Sequence, residues 1–301
     1  MVSNVIPNFF IAGAAKSATT SIFHYLKKHP DVFFPIVKEP KYFSAKYIDF
    51  PQLGNGDQEF TDKWVYKDLD RYLDLYKNAD GYKIIGDASV DNLYYYSTAN
   101  DIKEFNPDTK VLVILRNPID RAFSHYTHFI RDNRETETFE RAILLEEKRR
   151  SSGFEFSWFY KHVGLYYEQV KNYKLVFGEN LKVIIFEEFE AEPQKHMKDI
   201  CGFLEIDNEP ISKIAYIKHN SSGSSKSAVF SKVVNGHFPF KTKLKNILPF
   251  SLRANIKALF NIHNNVKMMM NPETRKGLSI YFKSDIENLE KLLGRELKIW
   301  E

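Results

Sequence analysis

The chain has 301 residues, 43% hydrophobic and 15% aromatic, enough for a sizeable core and against global disorder. Thirteen glycines and 12 prolines are too few for a low-complexity or collagen-like chain, and the single cysteine, Cys201, excludes an internal disulfide. The net charge of +4 hides an asymmetry: between Pro210 and Pro272 ten basic residues stand with no acidic one, while the rest carries 33 basic against 39 acidic residues.

No Cys/His cluster has zinc-ligand spacing. A strand-like run begins by Phe9, which leaves no room for a signal peptide, and the longest apolar runs fall far short of the roughly 20 residues of a membrane span. These features predict a soluble, cytoplasmic protein. The basic segment 210–272 predicts contact with an anionic ligand, polymer or membrane surface.

Along the chain, Asn8 to Gly13 reads as a buried strand, followed by a helix over Thr20 to Lys28 and a short strand at Val32 to Phe34. Further strands are predicted at Tyr82 to Gly86, Lys110 to Leu115 and Lys182 to Phe186. Helices are predicted over Tyr94 to Phe105, from Pro118 onward, and over Phe139 to Arg149, Val163 to Phe177, Glu192 to Phe203 and Pro272 to Leu293. Pro118 suits a first helical turn. Short, continuously apolar strands alternating with helices predict one α/β domain over residues 1–301, a P-loop-like central parallel sheet flanked by helices on both faces. The 210–272 segment is expected to form a lid or an acceptor-binding element. Ligands of such sheets bind at the carboxyl ends of the strands.

The first strand runs into Gly13-Ala14-Ala15-Lys16-Ser17-Ala18-Thr19-Thr20-Ser21. Small residues let backbone N–H groups approach an anion, the following helix start adds partial positive charge, and Lys16 adds a full one. The loop has the logic of a P-loop but lacks its pattern, since Ala15 stands where that pattern has glycine before the lysine. The strand ending at Leu115 delivers Arg116, whose guanidinium can grip a phosphate bidentately. Ser124 follows eight residues on, two turns into the next helix. Arginine at that strand end points to a second phosphate, where a P-loop hydrolase has a magnesium-holding aspartate. A pairing of Arg116 with Asp120 is the plainer alternative, as is Arg121 capping a neighbouring helix.

Together these residues resemble the sulfotransferases that use 3′-phosphoadenosine 5′-phosphosulfate (PAPS), most closely the heparan-sulfate and bacterial carbohydrate types. The resemblance spans Ala15 to Thr20, Lys38-Glu39-Pro40-Lys41-Tyr42-Phe43, Leu115 to Ser124, and Leu292 to Trp300. It implies that Lys16, Ser17, Ala18, Thr19 and Thr20 hold the 5′-phosphosulfate and that Arg116 and Ser124 hold the 3′-phosphate. Ser221 and Lys226, in the polar loop His219 to Ser227, resemble the family's late loop that closes over the nucleotide. Glu39 matches the family's catalytic glutamate, with Lys38 and Lys41 expected at the sulfate or an anionic acceptor. The heparan-type pattern has a lysine after the strand that here ends at Asp87. Ala88 and Ser89 follow instead, and Asp87 is expected to orient Lys16 or the acceptor.

Sulfuryl transfer requires a cation beside the leaving phosphate oxygen, a role for Lys16, and a base for the acceptor's proton, a role for Glu39. The predicted reaction moves a sulfuryl group from PAPS to a hydroxyl or amine of a carbohydrate, glycolipid, polysaccharide or small metabolite. The product is adenosine 3′,5′-bisphosphate (PAP), and no metal is required. The alternatives are a P-loop small-molecule kinase, with Asp87 at a magnesium-holding strand end, and a non-catalytic binder of anionic polymer or membrane through 210–272. No base-reading motif points to nucleic acid. His125 and His128 read as packing or surface histidines and Cys201 as core. Trp158-Phe159-Tyr160 with Tyr166-Tyr167 read either as an acceptor-cleft lining or as core.

Overall fold

Five apolar stretches short enough for single strands form one parallel sheet: β1 (Phe9–Gly13), β2 (Val32–Phe33), β3 (Ile84–Asp87), β4 (Lys110–Leu115) and β5 (Leu181–Ile185), in the order β2-β3-β1-β4-β5. The computed structural model describes residues 5–48, 53–212, 224–225, 265–266 and 268–301. Because successive strand residues face opposite sides, Phe10 and Ala12 of β1 join one apolar layer while Phe9 and Ile11 join the other. Val111 and Val113 of β4 likewise part from Leu112 and Ile114.

One layer is closed by α1 (Thr19–Leu26) and α10 (Pro193–Leu204). Cys201 is fully buried there. The other layer is closed by α3 (Leu69–Asp74), α4 (Thr98–Phe105), α8 (Tyr166–Phe177) and the long α12 (Pro272–Leu293). A third cluster gathers α5 (Pro118–Arg131), α6 (Phe139–Leu144) and the aromatic run at 156–163. Trp158, Phe159 and Tyr160 are buried in it, so their packing is that of core side chains. The remaining helices are short: α2 (Asp57–Trp64), α7 (Glu146–Ser151), α9 (Phe186–Ala191) and α11 (Glu209–Ser212). No helix among the described residues is long and apolar enough to cross a membrane.

Several boundaries differ from the sequence-based expectation. The strand expected at Tyr82 begins two residues later, because Tyr82 and Lys83 are exposed and pairing with β2 starts at Ile84. The helix expected from Tyr94 starts at Thr98: Tyr94 instead stacks on Phe156, and the Thr98 hydroxyl donates to the Asn92 carbonyl at 2.9 Å. The helix expected over 139–149 is two, broken at Leu145. There Glu146 turns inward to accept the backbone N–H groups of Lys161 and His162 at 2.7 and 2.8 Å.

The order of strands positions the site. From β1 the chain crosses to one side of the sheet, and from β3 to β4 it crosses to the other, so the crevice opens above β1 and β4. Those strands are in register through Phe10↔Val111 and Ile11↔Leu112, and the Ala14 N–H donates to the Ile114 carbonyl at 2.8 Å. The loop after β1 and the turn after β4 therefore lie side by side.

Candidate functional site

The loop leaving β1 takes left-handed backbone conformations at two non-glycine residues, Lys16 (φ 71°) and Ala18 (φ 61°). Such reversals turn successive N–H groups toward one concave side, the arrangement that cradles anions. Ala18 precedes α1 and makes no side-chain cap, and the helix's first turn carries no acidic residue. Gly13 is required by close approach: a Cβ there would lie 2.5 Å from the Leu93 Cβ and 3.1 Å from the Val90 carbonyl oxygen. Ser17 is buried, and its hydroxyl has no hydrogen-bond partner among the described residues. Thr19 is buried and Thr20 half-buried at the helix start.

Arg116, at the end of β4, joins this loop directly. Its Nη1 donates to the Lys16 carbonyl at 3.1 Å, and its guanidinium lies over the Phe186 ring, 4.6 Å from the centroid. Its Nε is buried without a partner among the described residues. Asp120, the plainer partner, instead pairs with Arg275. Arg121 is fully buried and donates to the Tyr160 carbonyl. Ser124 is half-buried on α5.

The charges around Lys16 are mostly of its own sign. Burial lowers its pKa to about 8, helped by the guanidinium groups of Arg131, Arg116 and Arg121 and opposed by Asp132. The ammonium is thus held where a second anion is electrostatically favoured. The end of α5 was not anticipated in this role. His128 and His125 are both driven toward the neutral form, chiefly by burial, with the Lys16 charge contributing. His128 Nε2 lies 3.5 Å from Asp132, and Arg131 bonds its other nitrogen. Arg121, His125, His128 and Asp132 recur at helical spacing on one face. That periodicity was the available signal.

Glu39 lies on the loop after β2 and pairs with Lys38 at 2.5 Å, both side chains partly exposed. Burial favours its neutral form, but Lys38, Lys41 and Lys16 outweigh that and lower its pKa. At neutral pH it is a carboxylate, able to accept a proton. The Lys16 charge is the weakest of the three acting on it.

Two residues expected at the acceptor are placed differently. Lys41, left-handed at φ 57°, is 3% exposed and its ammonium lies 3.3 Å from Asp91. Its N–H donates to the Ser89 hydroxyl at 2.9 Å. Burial favours the neutral amine, yet Asp91, Glu155 and Glu39 raise its pKa. This buried pair ties the 38–44 loop to the turn after β3. Asp87 is also sealed in: its carboxylate accepts from the Tyr72 hydroxyl at 2.8 Å, the Tyr76 hydroxyl at 3.4 Å and the Ser89 N–H at 2.8 Å. Burial pushes its pKa up to about 6 against those hydrogen bonds. Its hydrogen bonds go to these three groups and not to Lys16, and a carboxylate so enclosed is unsuited to holding a magnesium ion.

Ser221 and Lys226 lie outside the described residues. Between them, Ser224–Ser225 pair antiparallel with Asn265–Val266 and run beside α5.

Comparison with known proteins agrees with this architecture. The group described as the "Sulfotransferase family" matches residues 7–210. A solved sulfotransferase from Alicyclobacillus acidocaldarius is 34% identical, with a TM-score of 0.77, covering 98% of this chain and 99% of that one. Carbohydrate sulfotransferase 15 of Rattus norvegicus is 28% identical over 173 residues, 46% of this chain and 30% of that protein. Heparan sulfate glucosamine 3-O-sulfotransferase 3B1 of Homo sapiens is 24% identical over 176 residues, 57% of this chain and 38% of that protein. The match thus spans only about a third of these curated relatives.

Proposed function

The chain belongs to the sulfotransferase family, and on that premise we propose that it uses PAPS to sulfate a hydroxyl or amine of a carbohydrate, glycolipid or small metabolite, releasing PAP. One observation carries the reading: the hydrogen bond from Arg116 to the Lys16 carbonyl. It joins two cationic strand ends into one site for a ligand with two separated anionic groups. The unpartnered Ser17 hydroxyl and Arg116 Nε fit such a ligand, since buried polar atoms are normally satisfied. PAPS, when bound, supplies an activated sulfuryl group on a phosphate leaving group.

In this reading the 14–20 loop and Thr19 and Thr20 bind the 5′-side anion, while Arg116 and Ser124 bind the 3′-phosphate. Ser221 and Lys226 are assigned to closing over the nucleotide, a role supported by the course of Ser224–Ser225 beside α5. Lys16, positively charged below about pH 8, opposes the negative charge on the leaving oxygen, and its lowered pKa also makes it a ready proton donor. Glu39 takes the acceptor's proton. For that step it must exchange its contact with Lys38 for one with the acceptor, and the partial exposure of both side chains permits the exchange. Lys38 then remains beside the transferring sulfate. Contact of 210–272 with a polyanion or a membrane surface belongs to the same proposal, for an acceptor that is a polysaccharide or glycolipid.

The test is product formation. Wild type, Lys16→Ala and Glu39→Gln are incubated with PAPS and a saccharide and glycolipid panel, and PAP and sulfated product are followed by mass spectrometry. Sulfated product from wild type, with a loss of at least about 100-fold in either variant, is expected. A variant of Glu39 with wild-type turnover would remove it as the base.

A further inference from the structure

Arg116 is presented to the site by a ring of contacts that closes through residues far away in sequence. Asn117, next to it, makes three kinds of hydrogen bond. Its side-chain oxygen caps α5, accepting from the N–H groups of Ile119 and Asp120 at 2.9 and 3.3 Å. Its backbone N–H donates to Glu187 Oε1 at 2.9 Å, and its side-chain nitrogen donates to the Trp300 carbonyl at 2.9 Å. The other Glu187 oxygen accepts the Trp300 indole N–H, also at 2.9 Å. Trp300 packs beside Tyr166, with ring centroids 6.1 Å apart, and the Tyr166 hydroxyl donates to the Arg116 carbonyl at 3.1 Å.

The Arg116–Asn117 peptide is therefore gripped from both sides, by Tyr166 at the carbonyl and by Glu187 at the N–H. Glu187 lies in the first turn of α9, and the preceding residue, Phe186, forms the platform under the Arg116 guanidinium. Trp300 is only 6% exposed, and the stretch that carries it is itself anchored. Arg295 pairs with Glu188, and the Leu297 N–H donates to Glu290 at 2.5 Å. The hydrogen bonds of Asn117, Glu187, Trp300 and Tyr166 thus converge on the peptide that carries the Arg116 side chain.

We propose that Glu187 and Trp300 are positioning residues for Arg116, so that affinity for the nucleotide's phosphate depends on the turn Lys298–Trp300. The inference rests on Arg116 binding a donor phosphate. A guanidinium pre-oriented by its neighbours loses less conformational freedom on gripping a phosphate, which is why a remote hydrogen bond reaches the binding constant.

The experiment is calorimetric titration of PAP into wild type, Arg116→Ala, Glu187→Gln, Trp300→Phe and the Glu187→Gln/Arg116→Ala double variant. Thermal melts confirm that each is folded; Trp300→Phe keeps an aromatic ring while removing the indole N–H together with the pyrrole ring, and the melt reads the packing cost of that smaller ring separately. Glu187→Gln and Trp300→Phe are each expected to weaken PAP by about fivefold to tenfold. The double variant is expected to bind no more weakly than Arg116→Ala alone, because both changes act through one guanidinium. In turnover, the KM for PAPS rises while kcat holds, as for binding lost equally from the ground and transition states. Wild-type affinity in both single variants, or additive losses in the double, would overturn the positioning role while the Arg116 loss still supported the donor. Absence of PAP binding by wild type would overturn the donor assignment, and this inference with it.

Discussion

Lys16 and Lys41 share a left-handed backbone conformation, yet they sit among charges of opposite sign. Both are non-glycine residues in the left-handed region, Lys16 half-buried and Lys41 almost fully buried. Lys16 faces Arg116, Arg121 and Arg131, and its pKa falls to about 8. Lys41 faces Asp91, Glu155 and Glu39, and its pKa rises. A lysine among cations is left with charge to offer a ligand. A lysine neutralised by Asp91 holds two loops together.

The largest expected effect tests the Lys41 side. Lys41→Met strands the buried Asp91 carboxylate and is expected to cost about 3–5 kcal/mol of stability in urea unfolding. Lys41→Met with Asp91→Leu should recover most of that loss; failure to recover would mean that Lys41 has work beyond the pair. On the other side, Lys16→Ala is expected to lower kcat by about 100- to 1,000-fold while unfolding stays close to wild type, as for loss of one stabilising group at a developing charge. A stability loss as large as that of Lys41→Met would erase the distinction between the two.

Asp87 gives a smaller, pH-dependent effect. Its pKa is raised in the folded state to about 6 from an ordinary 3.8, so the native state binds more protons between those values. Wild-type stability should therefore fall as pH rises from 4 to 6, by about 2–3 kcal/mol from this group. Asp87→Asn should lack that slope, and paired urea titrations at pH 4 and 7 measure it. For Lys16 the sign is the reverse for folding, because a lysine of lowered pKa penalises the native state until it deprotonates. Catalysis needs the charged form, so kcat/KM should decline above about pH 8. Arg131→Gln removes the largest of the like charges acting on Lys16, and the alkaline limb of the rate profile should move upward in pH.

The parts of this molecule that follow from local pattern were legible in the chain. β4 runs from Lys110 to Leu115 as its continuous apolar run predicts. The long helix spans Pro272–Leu293, with Asn271 accepting the Glu273 N–H in its N-cap. The positions of Lys16 and Arg116, side by side beyond the ends of β1 and β4, were legible because each follows a continuous apolar strand of the parallel sheet. What depended on distant pairing was not. Helix α2 has no apolar periodicity to announce it; Asp57 at its start is fixed by Trp158 and by the Glu155 N–H, about a hundred residues on. Lys41 and Asp87 looked like site residues because sequence cannot show that Asp91, Tyr72 and Tyr76 enclose them.

The measurement closest to the central claim is titration of wild type and Arg116→Ala with PAP, and of wild type with ATP, all without metal. The two-anion site predicts tight PAP binding that weakens at least tenfold, about 1.4 kcal/mol, in Arg116→Ala, with little response to ATP. Equal binding of PAP by both proteins, or a preference for ATP, would contradict it.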